Sequence, residues 1–183
     1  MPTAPTHAIA ALSLGTAFYR PGTPHRLWLV GAALAALPDF DVIGFRFGIH
    51  YEDLLGHRGL SHSLAVAVAA GGLATWAWWR QGAGPMPASV VWGYLAVAMA
   101  SHGLLDMLTD GGLGIALGAP IDNTRYFFPV RPIAVAPIGL RGLLSPGMGR
   151  VITTELVWVW VPAAVVGFLG LAFQRRGRAR TVG

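Results

Sequence analysis

The chain has 183 residues, of which 54% are hydrophobic and only 11% charged, with a mean hydropathy of +0.56. A typical soluble domain carries about 25% charged residues, so this composition excludes an ordinary water-soluble globule and points to a single-domain integral membrane protein. The net charge of +5 comes from arginine without lysine, and the absence of cysteine excludes disulfides and thiolate ligands; any metal is left to imidazole and carboxylate, a ligand set suited to zinc, manganese or iron.

The first apolar segment, residues 7–19, follows Pro5-Thr6-His7, with Thr6 in position to cap a helix. No Lys or Arg precedes Arg20, so the basic region of a secretory signal is missing and this segment is expected to be retained. The turn Arg20-Pro21-Gly22-Thr23-Pro24 separates it from a second segment, residues 27–37, and the two read as a helical hairpin within residues 1–38. The hairpin ends at Leu37-Pro38-Asp39-Phe40-Asp41. In extended chain the two carboxylates face the same way, and negative charge at a helix C-terminus is disfavoured unless a cation lies near.

His57-Arg58-Gly59-Leu60-Ser61-His62-Ser63 then places two histidines around a glycine turn that leads into an apolar helix, with Leu60 or Ser61 as its cap. Residues 60–79, 88–108 and 151–173 each reach the roughly 20 apolar residues that a bilayer crossing requires. Between the last two lie residues 109–150, rich in glycine and proline. Their aromatic and β-branched residues (Tyr126, Phe127, Phe128, Val130, Ile133, Val135) predict an ordered loop packed over a site, a candidate lid. The expected fold is all-α, a membrane-embedded bundle of about five helices.

Charge orients the bundle. The connections at residues 20–26, at Arg80 and at residues 175–180 hold seven arginines and no acid, which makes those ends cytoplasmic, the C-terminus included. No aromatic residues interleave with the terminal arginines, so they read as a membrane anchor and not as a nucleic-acid site. All eight acidic residues fall to the opposite end with Arg46, Arg58, Arg125, Arg131, Arg141 and Arg150. An up-and-down bundle then brings His7, Asp39, His62, His102 and Asp106 to one face.

His102-Gly103-Leu104-Leu105-Asp106 sets an imidazole and a carboxylate at i and i+4 on one helix face, close enough to share a metal. The candidate ligands are His7, Asp39, His57, His62, His102 and Asp106, too many for one tetrahedral ion with an open position, so two ions, or one with outer histidines, fit better. Asp41 is the candidate proton acceptor and Arg58 a second catalytic candidate. Arg125 and Arg131, with Arg58, are the candidate phosphate clamp. Asp110 is a ligand or an outer partner, His25 a surface residue, and His50 a loop residue outside the site.

At Thr6-His7, Leu37-Pro38-Asp39-Phe40-Asp41, residues 57–63 and His102 with Asp106, the chain resembles the YdjM-like family of inner-membrane, metal-dependent hydrolases. The likeness extends to Asp122-Asn123-Thr124-Arg125 and the turn at residues 127–131. More remotely, the order His, Asp, His, then His-x-x-x-Asp is similar to that of zinc-dependent phospholipase C enzymes. Those enzymes continue with further histidines and a His-x-x-x-Glu, whereas this chain has no histidine after His102, so a full trinuclear site is not expected.

The resemblance implies hydrolysis of an ester or phosphoester, with zinc the favoured divalent metal. A recessed site points to a lipid or lipid-linked substrate in the bilayer. One rival is a non-catalytic metal site that staples helix ends. Another is a metal or proton transporter, disfavoured by the apolar stretches 65–74 and 157–173. The sequence sets no oligomeric state.

Overall fold

The computed structural model describes residues 1–80, 86–139 and 144–181, and among these it is helical with no β-strand. Five helical rods are present. α1 (Ala4–Phe18) and α2 (His25–Ala36) form the expected hairpin, followed by α3 (Leu64–Trp79) and α4 (Ala88–Asp106). The fifth rod joins α5 (Met148–Glu155), a π-helical turn (Leu156–Trp160) and α6 (Val161–Thr181). Arg141 and the side chains of Arg175 to Arg180 lie outside the described residues.

Several local expectations are corrected. α1 starts earlier than residue 7, with Thr3 as its N-cap residue; Thr6 is buried inside the helix. α2 does not stop at Leu37. Pro38 removes a backbone donor and opposes continuation as α-helix, and the chain instead tightens into a 3₁₀ segment, Leu37–Phe47, which ends at Gly48 with φ of 78°. A residue with a side chain rarely adopts that left-handed conformation.

α3 begins at Leu64 rather than Leu60, because residues Leu60–His62 form a separate 3₁₀ turn and Ser63 accepts from the Val66 amide as the cap. Its 16 residues extend about 24 Å at 1.5 Å per residue, short of a hydrocarbon core of about 30 Å. Among the described residues three helices are long and apolar enough to cross a membrane: His25–Phe47, Ala88–Asp106 and Met148–Gln174.

α4 is the central rod, in contact with α1, α2 and α3. Its N-terminal half presents Val91, Tyr94, Leu95 and Ala98 to Ala11, Leu27 and Ala35 in a buried apolar core. The fit around Tyr94 depends on glycine, since a Cβ on Gly31 would collide with the Tyr94 hydroxyl oxygen. The C-terminal half of the same helix is buried too, but presents His102 and Asp106.

Backbone contacts within the described residues fasten the long connection after α4. Thr109 bridges to Ile133, Ile115 bridges to Tyr126, and the Leu64 amide donates to Leu117, so the loop is fastened across the start of α3. Residues 148–150, expected in the loop, already belong to α5.

Candidate metal centre

Four side chains from three stretches of chain converge beneath the loop. The 3₁₀ segment after α2 supplies Asp39, the turn before α3 supplies His62, and the last turn of α4 supplies His102 and Asp106. His102 Nε2 lies 3.2 Å from Asp39 Oδ1, 3.9 Å from Asp106 Oδ2 and 3.0 Å from His62 Nε2. His62 Nε2 lies 3.8 Å from Asp39 Oδ1 and 3.6 Å from Asp106 Oδ2. Zinc bonds of about 2.0–2.1 Å place tetrahedral ligand atoms about 3.3 Å apart, so these separations suit a shared cation.

The hydrogen bonds outside the cluster decide which ring atoms face it. His102 Nδ1 is 2.7 Å from the Ala35 carbonyl oxygen, which only accepts, so Nδ1 carries the proton. The Ser61 hydroxyl donates to Asp41 Oδ2 at 2.6 Å and so presents its lone pairs to His62 Nδ1 at 2.9 Å, with Asp41 Oδ2 itself 3.2 Å from that nitrogen. His62 Nδ1 is therefore the donor as well. In the neutral rings both Nε2 atoms are lone pairs, facing each other beside two carboxylates.

Both oxygens of Asp39 and of Asp106 are buried without a hydrogen-bond partner. Such a concentration of acceptors without hydrogen bonds is costly away from water, and a divalent cation would relieve it beside the Arg58 guanidinium that already approaches Asp106. The donor set fits zinc or another borderline divalent metal.

His7 completes the edge of this centre. It is fully buried, its ring stacks on His102 with centroids 3.8 Å apart, its Nε2 is 3.5 Å from Asp106 Oδ1, and neither ring nitrogen has a hydrogen-bond partner. Close packing on the other side comes from Gly103, where a Cβ would approach the His62 carbonyl oxygen to 2.8 Å.

Asp41 and Asp39 do not point the same way, as an extended strand would have them, because the intervening chain is 3₁₀. Asp41 Oδ1 pairs with His57 Nδ1 at 2.6 Å, and its other oxygen accepts from Ser61 and from the Arg58 amide at 3.3 Å. Asp41, His57 and His62 form a second group able to hold a metal ion, sharing His62 with the first.

The arginines are placed differently from a phosphate clamp. Arg58 is completely buried with φ of 65°, and it donates to the Gly111 and Leu113 carbonyls at 2.8 Å each and to Thr109 Oγ1 at 3.0 Å. Its Nε lies 3.3 Å from Asp106 Oδ2, so it ties the loop to a carboxylate of the centre. Arg125 is spent on the carbonyls of His57 and Tyr51, at 3.0 Å each, and of Asp53, at 3.1 Å. Burial lowers the Arg125 pKa from its ordinary value and raises that of the neighbouring Tyr51 phenol. Arg131 is exposed and stacks on Phe127, 4.7 Å from the ring centroid, leaving its guanidinium open to an anion.

Asp110 lies away from the cluster, paired with Arg150 at 2.8 Å and accepting from the Val135 amide. His25 and His50 are exposed. Sequence reasoning passed over Glu155, which is buried at the start of the last rod. The available signal was an acid inside an apolar membrane segment, a placement that is costly by default.

Fold and cluster together define a multi-helix membrane protein with a buried His/Asp group that could hold a metal ion. The chain belongs to the YdjM inner membrane protein family, which it matches over residues 1–179. It is 38% identical over 179 residues to the inner membrane protein YbcI of Escherichia coli strain K12, an alignment covering 96% of this chain and 99% of that relative. No solved structure matches the chain.

Proposed function

We propose that this chain is a membrane-bound, metal-dependent hydrolase of an ester or phosphoester in a lipid or lipid-linked substrate. The observation that carries the reading is the pair of Nε2 lone pairs 3.0 Å apart on His62 and His102, set between two buried carboxylates that have no hydrogen-bond partner. Asp39, His62, His102 and Asp106 would hold one divalent ion, zinc by preference, with His7 at its edge. Such an ion supplies Lewis-acid polarisation of the scissile group and lowers the pKa of water to about 7.

One ion suits the residues better than two. A neutral imidazole offers one lone pair, and His62 directs its Nδ1 proton toward Ser61 and Asp41. Asp41 then acts as the outer carboxylate that fixes the His62 ring, with His57 holding Asp41 in turn. Arg58 positions Asp106, and Arg131 is the arginine open to a substrate phosphate.

Access supports a lipid substrate. Within the four-residue cluster only Asp39 has an exposed side-chain fraction, 10%, and the others show none. It lies on the 3₁₀ segment that also carries Leu37, Phe40 and Ile43, all exposed. Residues three apart line up along a 3₁₀ helix, so the approach to Asp39 is flanked by an apolar stripe. By the charge pattern this end faces away from the cytoplasm.

A structural metal site is the second reading, favoured by four protein ligand atoms so near a closed tetrahedral set. Elemental analysis of detergent-purified wild type, beside assays on phosphoester and ester lipids, separates the two. Stoichiometric metal with turnover supports the hydrolase. Metal without turnover on any lipid class favours the structural site, and folded wild type without metal overturns both.

A further inference from the structure

Glu155 is buried in the last membrane rod, yet both of its oxygens are occupied from α1. Oε1 accepts from the Thr3 amide at 2.5 Å, and Oε2 accepts from the hydroxyls of Thr3 at 2.8 Å and Thr6 at 2.6 Å. Thr3 is the N-cap residue of α1 and makes no side-chain cap of its own. The first-turn amides of a helix lack intrahelical partners and carry the positive end of its dipole. Here the Thr6 amide is bonded to the Thr3 carbonyl, and the carboxylate from another helix accepts from the amide of Thr3 itself.

The π-helical turn begins at the next residue and carries Trp160, whose indole Nε1 donates to Thr6 Oγ1 at 2.7 Å. Thr6 is thereby held between two side chains of the last rod, accepting from Trp160 and donating to Glu155. Its neighbour in the chain is His7, which has no hydrogen bond on either ring nitrogen, so its polar surroundings are the stack on His102 and the 3.5 Å approach of its Nε2 to Asp106 Oδ1.

We infer that Glu155 is a positioning residue for the metal centre: with Trp160 it fixes Thr6 and the start of α1 so that the His7 imidazole is presented to Asp106 as a further ligand. The inference rests on the metal reading proposed above. It assigns to the π turn the task of bringing Trp160 under Thr6, in keeping with the frequent occurrence of such turns at functional sites.

The test uses full-length protein in detergent, with Zn²⁺ affinity measured by chelator competition and Co²⁺ bound as a visible-absorption probe of coordination number. Thr6→Val, which removes the hydroxyl at constant shape, and Glu155→Ala are expected to weaken Zn²⁺ binding roughly 10–100-fold, as loss of an outer partner does. Both should shift the Co²⁺ spectrum toward that of His7→Ala. Thr6→Ser and Glu155→Gln, which retain hydrogen-bonding groups, should restore affinity and spectrum. In the His7→Ala background Thr6→Val should add nothing, because its effect runs through His7.

Full additivity of Thr6→Val with His7→Ala, or a Thr6→Val protein with wild-type affinity and spectrum, overturns the assignment while leaving the metal reading intact. Folded wild type that binds neither Zn²⁺ nor Co²⁺ overturns the metal reading instead. Should Thr6→Val fail to fold, Trp160→Phe removes one of the two holds on Thr6 and must produce the same spectral shift in smaller degree; its absence likewise overturns the assignment.

Discussion

Both halves of α4 bury one face, and they differ in what that burial demands of them. Around Val91, Tyr94, Leu95 and Ala98 the requirement is shape, met by small residues and glycines on α1 and α2. Around His102 and Asp106 the requirement is direction, since each polar atom must find a partner at a defined angle or remain unpaired. Apolar packing is non-directional and degrades gradually when atoms are removed. The polar end depends on every member, and its members arrive from separate parts of the chain.

That contrast can be broken or sharpened by substitution. The largest effect is expected from Asp106→Ala, which removes a carboxylate of the candidate metal centre and leaves the buried Arg58 guanidinium without its carboxylate. Metal content should fall to background, and stability should drop by about 3–5 kcal/mol, the usual result of breaking a buried charged pair. Elemental analysis and detergent thermal unfolding measure the two. Retained stoichiometric metal would remove Asp106 from the centre.

Leu95→Ala probes the other half of the helix. Its expected cost is about 2–5 kcal/mol from lost burial and the residual cavity, read by the same unfolding measurement, while Zn²⁺ affinity of the folded fraction stays at the wild-type value. A large affinity loss here would mean that the two halves are mechanically coupled.

Asp41→Asn should keep the fold and weaken Zn²⁺ binding roughly 10–100-fold, because the His62 ring loses the carboxylate that orients it. Chelator competition measures it. A stoichiometry that falls from two ions to one in this variant would instead assign Asp41 to a second metal site.

Arg131→Ala should be the mildest. Its guanidinium is exposed and stacked on Phe127, so stability should change by no more than about 0.5 kcal/mol, as for most surface substitutions, and metal content should be unchanged. A loss confined to KM for a phosphorylated lipid, absent for an uncharged ester, is the expected signature of a phosphate contact.

The sequence by itself determined the membrane class, the helical hairpin near the N-terminus, the helix read at residues 88–108 and found at Ala88–Asp106, and the residue types of the candidate centre. Those features rest on composition, on Pro and Gly breaks and on the i,i+4 spacing of His102 and Asp106, all local properties of the chain. Even so, the start of α3 was misplaced, because the hydropathy of Leu60 does not reveal that His62 is drawn out of helix into the cluster. Tertiary structure alone decided that Asp39 and Asp41, on one 3₁₀ segment, approach opposite nitrogens of His62, and that Arg58 and Arg125 are bound to loop carbonyls. It also decided that a buried glutamate from the last rod accepts from Thr3 and Thr6 at the start of the first helix. The physical reason is common to all three: a polar group's role is set by which partners lie within about 3 Å of it, and those partners are distant in sequence.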